Sequence, residues 1–173
     1  LLEGCGGRDP DVVLAVGDVG NHDLRPLPRG RTADRLQDLG LALVAALFAR
    51  EFDLRGWIVI FVAATVAVDL GFLVLEPQLA WYVGFSGVLH GLMAAGLCAW
   101  WWRTPDAITA LVAGLFAFKL GWEHLVGPLP FTASTLAVPV IHEAHTYGAI
   151  GGAVAALWIL RRRRRQRRAA ASL

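Results

Sequence analysis

A serine hydroxyl is a weak nucleophile until a neighbouring base takes its proton, and histidine is the commonest such base. Ser86 stands within residues 79–102, LAWYVGFSGVLHGLMAAGLCAWWW, and His145 within residues 140–160, VIHEAHTYGAIGGAVAALWIL. Each stretch is long and apolar enough to cross a bilayer. In such a span an ionisable side chain marks a functional site facing protein or trapped water. His90 follows Ser86 by four residues and therefore shares its helix face.

Three further ionisable residues interrupt apolar runs: Asp69, Lys119 and Glu123. Lys119 and Glu123 are spaced i, i+4 and read as a buried ion pair, with Asp69 the alternative partner for Lys119. Counting about 1.5 Å per residue from the span ends puts Ser86 about 10 Å below the outer surface and His145 about 8 Å. Asp69 and Lys119 fall about 10 Å below that surface on the same count. One polar layer on four helices is expected, a water-filled pocket open to one face. A Ser86–Lys119 dyad is a chemical competitor to Ser86–His145, because buried lysines also act as bases. His124 and His142 lie near span ends and read as interfacial.

Contact between Ser86 and His145 requires their two helices to approach closely, which in lipid calls for small residues at the crossing. Gly84, Gly87 and Gly91 flank Ser86, and Ala144, Gly148 and Gly152 flank His145. Both sets have small-xxx-small spacing.

The composition agrees with a membrane setting. Of 173 residues, 56% are hydrophobic, seven are Trp, and mean hydropathy is +0.53, outside the soluble globular range. The expected architecture is an all-α polytopic bundle with spans at about 36–49, 56–75, 79–102, 106–126 and 140–160. Arg50 and Arg55 follow the first span, Arg103 the third, and RRRRRQRR (161–168) the fifth, while the other two loops carry no Lys or Arg. The positive-inside rule then places the basic ends and the tail, 161–173, in the cytoplasm. That run holds seven of the sixteen basic residues and reads as a stop-transfer anchor, with no nucleic-acid partner. Trp57, Trp81, Trp101, Trp102 and Trp158 read as interface anchors. Residues 1–35 mix Gly, Pro, Asp and Arg and are expected to be irregular or non-native sequence. Cys5 and Cys98 are assigned no disulfide.

Gly84-Phe85-Ser86-Gly87 with Gly91 resembles the GxSGxxxG motif of rhomboid intramembrane serine proteases. Ala144-His145-Thr146-Tyr147-Gly148 with Gly152 resembles their AHxxGxxxG motif. GFSGVLHG, KLGWEH and AHTYGAIGG together resemble the rhombosortase branch. The resemblance covers about residues 40–160 and implies a rhomboid-like bundle whose first family span is missing or not recognisable. It further implies Ser86 as nucleophile and His145 as base, a dyad without a carboxylate, with Gly84 and Gly87 lending active-site or oxyanion backbone. Gly91, Gly148 and Gly152 would pack the helices, and His90, Glu123, Lys119 and Asp69 would be accessory. Implied substrates are transmembrane proteins in a bacterial-type inner membrane, among them exported proteins with a Gly-rich motif, a hydrophobic span and a basic tail at the C-terminus. One departure stands out: the family's His-x-x-x-Asn motif at the start of its second span corresponds here to Asp34-Arg-Leu-Gln-Asp38. That departure keeps open a catalytically impaired, rhomboid-like factor that binds membrane proteins without cutting them. Histidine ligation of haem or a metal is a third class, disfavoured because the depth count sets His90 and His145 about two turns apart. No metal or organic cofactor is expected.

Overall fold

A computed structural model describes residues 31–77, 84–127 and 141–172. All secondary structure among them is helical: α1 (Arg31–Phe48), α2 (Leu54–Leu75), α3 (Ser86–Arg103), α4 (Ala107–Leu125) and α5 (Glu143–Ala171). Residues 1–30, residues 78–83 with Trp81, and residues 128–140 lie outside the described residues.

Three helix limits differ from the sequence expectation, each for a local reason. α1 reaches back to Arg31, into the stretch expected to be irregular, because RTADRLQ contains no Gly or Pro to stop it. α3 begins at Ser86 instead of residue 79, with Gly84 and Phe85 ahead of it outside the helix. α5 continues for 29 residues through the arginine run, since Arg and Ala are strong helix formers and no breaker intervenes. At the start of α4, Asp106 accepts a hydrogen bond from the Thr109 N–H at 2.8 Å, an N-terminal cap. That N–H and the Thr109 hydroxyl together hold the Asp106 carboxyl below the usual carboxylate range.

α3 is the centre of the bundle. It packs most extensively against α5 and also touches α2, α1 and α4, while α2 lies along α5. The tightest contact is backbone on backbone. A Cβ added to Gly87 would sit 2.7 Å from the Ala144 carbonyl oxygen, and one added to Gly91 would sit 2.7 Å from that of Gly148. Gly148 and Gly152 face back onto the Gly87 and Gly91 carbonyls. Helices this close gain dispersion along their whole length and exclude any side chain from the seam.

Small residues line much of the interior beside a few large ones such as Phe48 and Ile60, and many large apolar side chains face outward. Ala64, Ala95, Ala144 and Ala156 are completely buried. Leu73 on α2, Leu115 on α4 and Val154 on α5 are each at least 60% exposed. On α4 the buried residues are Thr109 and Glu123, and the exposed ones include Ile108, Leu111 and Phe118. Among the described residues two helices, Leu54–Leu75 and Ala107–Leu125, are long and apolar enough to cross a membrane.

Arg103 and Arg163 meet the α1–α2 turn at one end of the bundle. Arg103 at the end of α3 pairs with Glu51 at 2.9 Å in the turn between α1 and α2. From α5, Arg163 donates to the Glu51 carbonyl at 3.2 Å and to Asp53. Its guanidinium also lies 5.5 Å from the Phe52 ring centre. Ser86 and His145, at the N-terminal ends of α3 and α5, lie at the opposite end.

Gly148→Val should force α3 and α5 apart and destabilise the protein by about 3 kcal/mol or more, the upper range for overpacking. Gly121→Ala, where an added Cβ meets nothing within 4 Å, should leave stability unchanged or raise it by up to about 1 kcal/mol. Thermal unfolding in detergent, followed by circular dichroism, reads both outcomes.

Candidate active site

Ser86 is the first residue of α3, and the Leu89 N–H donates to the Phe85 carbonyl just ahead of it at 3.0 Å. Ser86 and Gly87 therefore stand in the first turn of α3, at the positive end of the helix dipole. Such an end is suited to an oxyanion. Ser86 and Gly84 are half-buried, whereas Gly87 is buried against Ala144. Because Gly87 follows Ser86 and Ala144 precedes His145, the α3–α5 backbone contact sets these two residues at the same end of the bundle.

His145 is 5% exposed, and its Nδ1 lies 2.8 Å from Glu123 Oε2. Glu123 is 2% exposed and accepts a second bond at the same oxygen from Lys119 Nζ, at 2.6 Å. Lys119 also reaches His90 Nε2 at 2.9 Å, and His90 Nδ1 reaches the Ser86 carbonyl at 2.7 Å. The imidazoles of His90 and His145 stack at 4.0 Å between centres with 16° between planes. Phe116 lies beyond His90 at 5.9 Å.

These partners assign the protons. A carbonyl can only accept, so His90 carries its proton on Nδ1 and offers a lone pair at Nε2 to the Lys119 ammonium. A carboxylate oxygen likewise accepts, so His145 donates from Nδ1 to Glu123. The basic nitrogen of a neutral His145 is then Nε2, the one the carboxylate leaves open. Every buried side-chain nitrogen and oxygen among the described residues has a partner. A satisfied polar group of this kind fits an otherwise apolar interior.

Several expectations change against this geometry. Asp69 is exposed on α2 and belongs to no polar layer. The buried stripe of α2 is Gly56, Ile60, Ala64, Val68 and Phe72, and at 3.6 residues per turn Asp69 falls about 140° from its middle. Nor can Asp69 partner Lys119, since α2 and α4 make no contact. The Lys119–Glu123 pair is present, but it extends to His145 and His90. The two-turn depth difference between His90 and His145 is absent. α3 starts at Ser86, and side chains lean toward a helix N-terminus, which brings His90 up beside His145. His145 also has a carboxylate partner, which the implied two-residue dyad lacks. The Lys119 ammonium is engaged by Glu123 and His90, which weighs against the Ser86–Lys119 dyad. Asp38 is exposed on α1. His124 is exposed, and His142 pairs with Glu143 at 3.2 Å.

One ligand atom each from His90, Glu123 and His145 lies within 4.8 Å of the others, a donor set of the kind that binds zinc. Lys119 Nζ is bonded to two of those atoms, so a metal would have to displace the ammonium. No protein-family model, curated protein or solved structure matches the chain.

Lys119→Met leaves Glu123 buried with His145 as its remaining partner and should destabilise the protein by roughly 3 kcal/mol, typical of breaking a buried pair. Denaturant or thermal unfolding of the variant in detergent checks this value, and a wild-type midpoint would contradict it.

Proposed function

We propose that this chain is a rhomboid-type intramembrane serine endopeptidase, with Ser86 as nucleophile and His145 as general base. The observation that carries this reading is the placement of His145. It is buried beside the α3 N-terminus, bonded through Nδ1 and left with Nε2 as its basic nitrogen. Ser86 Oγ attacks the scissile carbonyl while its proton passes to His145 Nε2. The N–H groups of Ser86 and Gly87 receive the developing oxyanion, and His145 returns the proton to the leaving amine. These backbone donors partly offset the missing His-x-x-x-Asn motif. One lost oxyanion donor ordinarily costs about 10²- to 10³-fold in rate.

The same reading makes the five helices a multi-pass bundle in a bacterial-type inner membrane. Its arginine end lies in the cytoplasm and its Ser86 end toward the outer face. Support comes from the two long apolar helices and from the exposed leucines of α4 around a buried glutamate. Substrates are membrane-anchored proteins cut in or beside a transmembrane segment, including C-terminal sorting segments of exported proteins. The Asp34–Asp38 departure favours the second reading, a rhomboid-like factor that holds membrane proteins without hydrolysing them.

A reporter ending in a Gly-rich motif, a hydrophobic span and a basic tail, co-reconstituted with the full chain in vesicles, separates the two readings. Wild type should cleave it, and Ser86→Ala and His145→Ala should each lose more than about 10³-fold in rate with the fold retained. Cleavage that survives Ser86→Ala would remove the nucleophile from this account.

A further inference from the structure

Glu123 is the least expected member of the site: a carboxylate near the C-terminal end of a mostly apolar helix, almost fully enclosed. An ionised carboxylate in such surroundings is expensive unless it is paired and hydrogen-bonded. A residue serving packing alone would be replaced by an apolar side chain with little or no loss. Glu123 instead directs one oxygen at two donors, Lys119 Nζ on its own helix and His145 Nδ1 on α5. The ammonium supplies the compensating charge, and the imidazole receives the orientation.

We propose that Glu123 is the positioning residue of the His145 base, so that the site works as a Ser86–His145–Glu123 triad with Lys119 as its counter-ion. This inference rests on the serine-hydrolase reading and deepens it. By accepting from Nδ1–H, Glu123 fixes the tautomer that leaves Nε2 basic, and it fixes the ring plane against His90. As Ser86 Oγ bonds to the carbonyl carbon, its proton moves to Nε2 and His145 becomes an imidazolium. The Glu123 carboxylate stays ionised and stabilises that charge across the 2.8 Å bond. The carbonyl C–N bond then breaks, the proton leaves Nε2 with the amine, and the neutral imidazole returns with Glu123 unchanged. His90 contributes through position: its Nδ1–H is bonded to the Ser86 carbonyl, its Nε2 to Lys119, and its face to His145. Four side chains on three helices are thereby locked in one arrangement.

The test uses the full chain in detergent and a fluorophosphonate probe, whose P–F bond breaks as Ser86 Oγ bonds to phosphorus, with fluoride leaving and the proton passing to His145. Glu123→Gln keeps the shape and removes the charge. Its labelling rate should fall about 10²- to 10⁴-fold, as when the carboxylate of a serine triad is neutralised, with unchanged saturation by the probe. Nitrogen-15 NMR of histidine-labelled wild type should show His145 protonated at Nδ1, with a strongly downfield proton assigned by its loss in His145→Gln. This readout does not depend on whether Glu123→Gln folds. A His145 protonated at Nε2 in the resting protein would overturn the triad, as would wild-type labelling rates in folded Glu123→Gln. Absence of labelling in folded wild type would instead sink the underlying hydrolase reading.

Discussion

A buried carboxylate with two donors on one oxygen sets the terms for half of this bundle. Glu123 fixes the rotation of α4 about its own axis, because only one orientation brings Oε2 to His145 Nδ1 while Lys119 reaches His90. Among the described helices α4 contacts α3 and α5 and no other, and it buries little besides Glu123 and Thr109. Its attachment therefore depends on polar links to an unusual degree, with Val112 and Phe116 adding apolar contact. A polar network of this kind specifies a unique arrangement when every member is satisfied, and here every described buried side-chain polar atom is.

The second constraint is the glycine seam between α3 and α5. Backbone contact at Gly87, Gly91, Gly148 and Gly152 holds Ser86 and His145 at one height and leaves no room for the two helices to slide. The seam and the network act on different coordinates. Glycines set the distance and register between α3 and α5, and Glu123 sets which ring nitrogen of His145 is left basic. Farther along, Arg103 and Arg163 tie the α1–α2 turn to the opposite end, so one residue of the arginine run takes part in the packing of the bundle. Exposed ion pairs contribute little each. Arg163 combines a backbone acceptor, a carboxylate and an aromatic face, and so has more to lose.

Much of this was legible in the sequence, and the gaps have a common cause. Helical spacing alone exposes Ser86 beside His90, Lys119 beside Glu123, and the small residues that line the seam. Height along a helix follows from counting residues once the helix end is fixed. Azimuth does not, when a helix is apolar on nearly every side as α2 and α4 are. Asp69 lies on the exposed face of α2, and the i, i+4 spacing of Glu123 with Lys119 does not reveal its second partner on α5. The signal that could have found the second pairing is energetic: a carboxylate this deep in an apolar run needs more than one donor. The start of α3 at Ser86 is hidden in the sequence because the run 79–102 is largely apolar on both sides of it. That start turns a residue expected within a span into one at a helix N-terminus, where the backbone can serve the chemistry.

The central claim is that one serine of this chain is activated, and that it is Ser86. Peptide mapping by mass spectrometry after brief exposure of the detergent-solubilised protein to a fluorophosphonate tests it most directly. The account predicts a single phosphonyl adduct, on the peptide containing Ser86, that disappears on prior unfolding of the protein. An adduct on another serine or threonine with Ser86 unmodified, or an adduct on Ser86 formed equally fast in the unfolded chain, would contradict it.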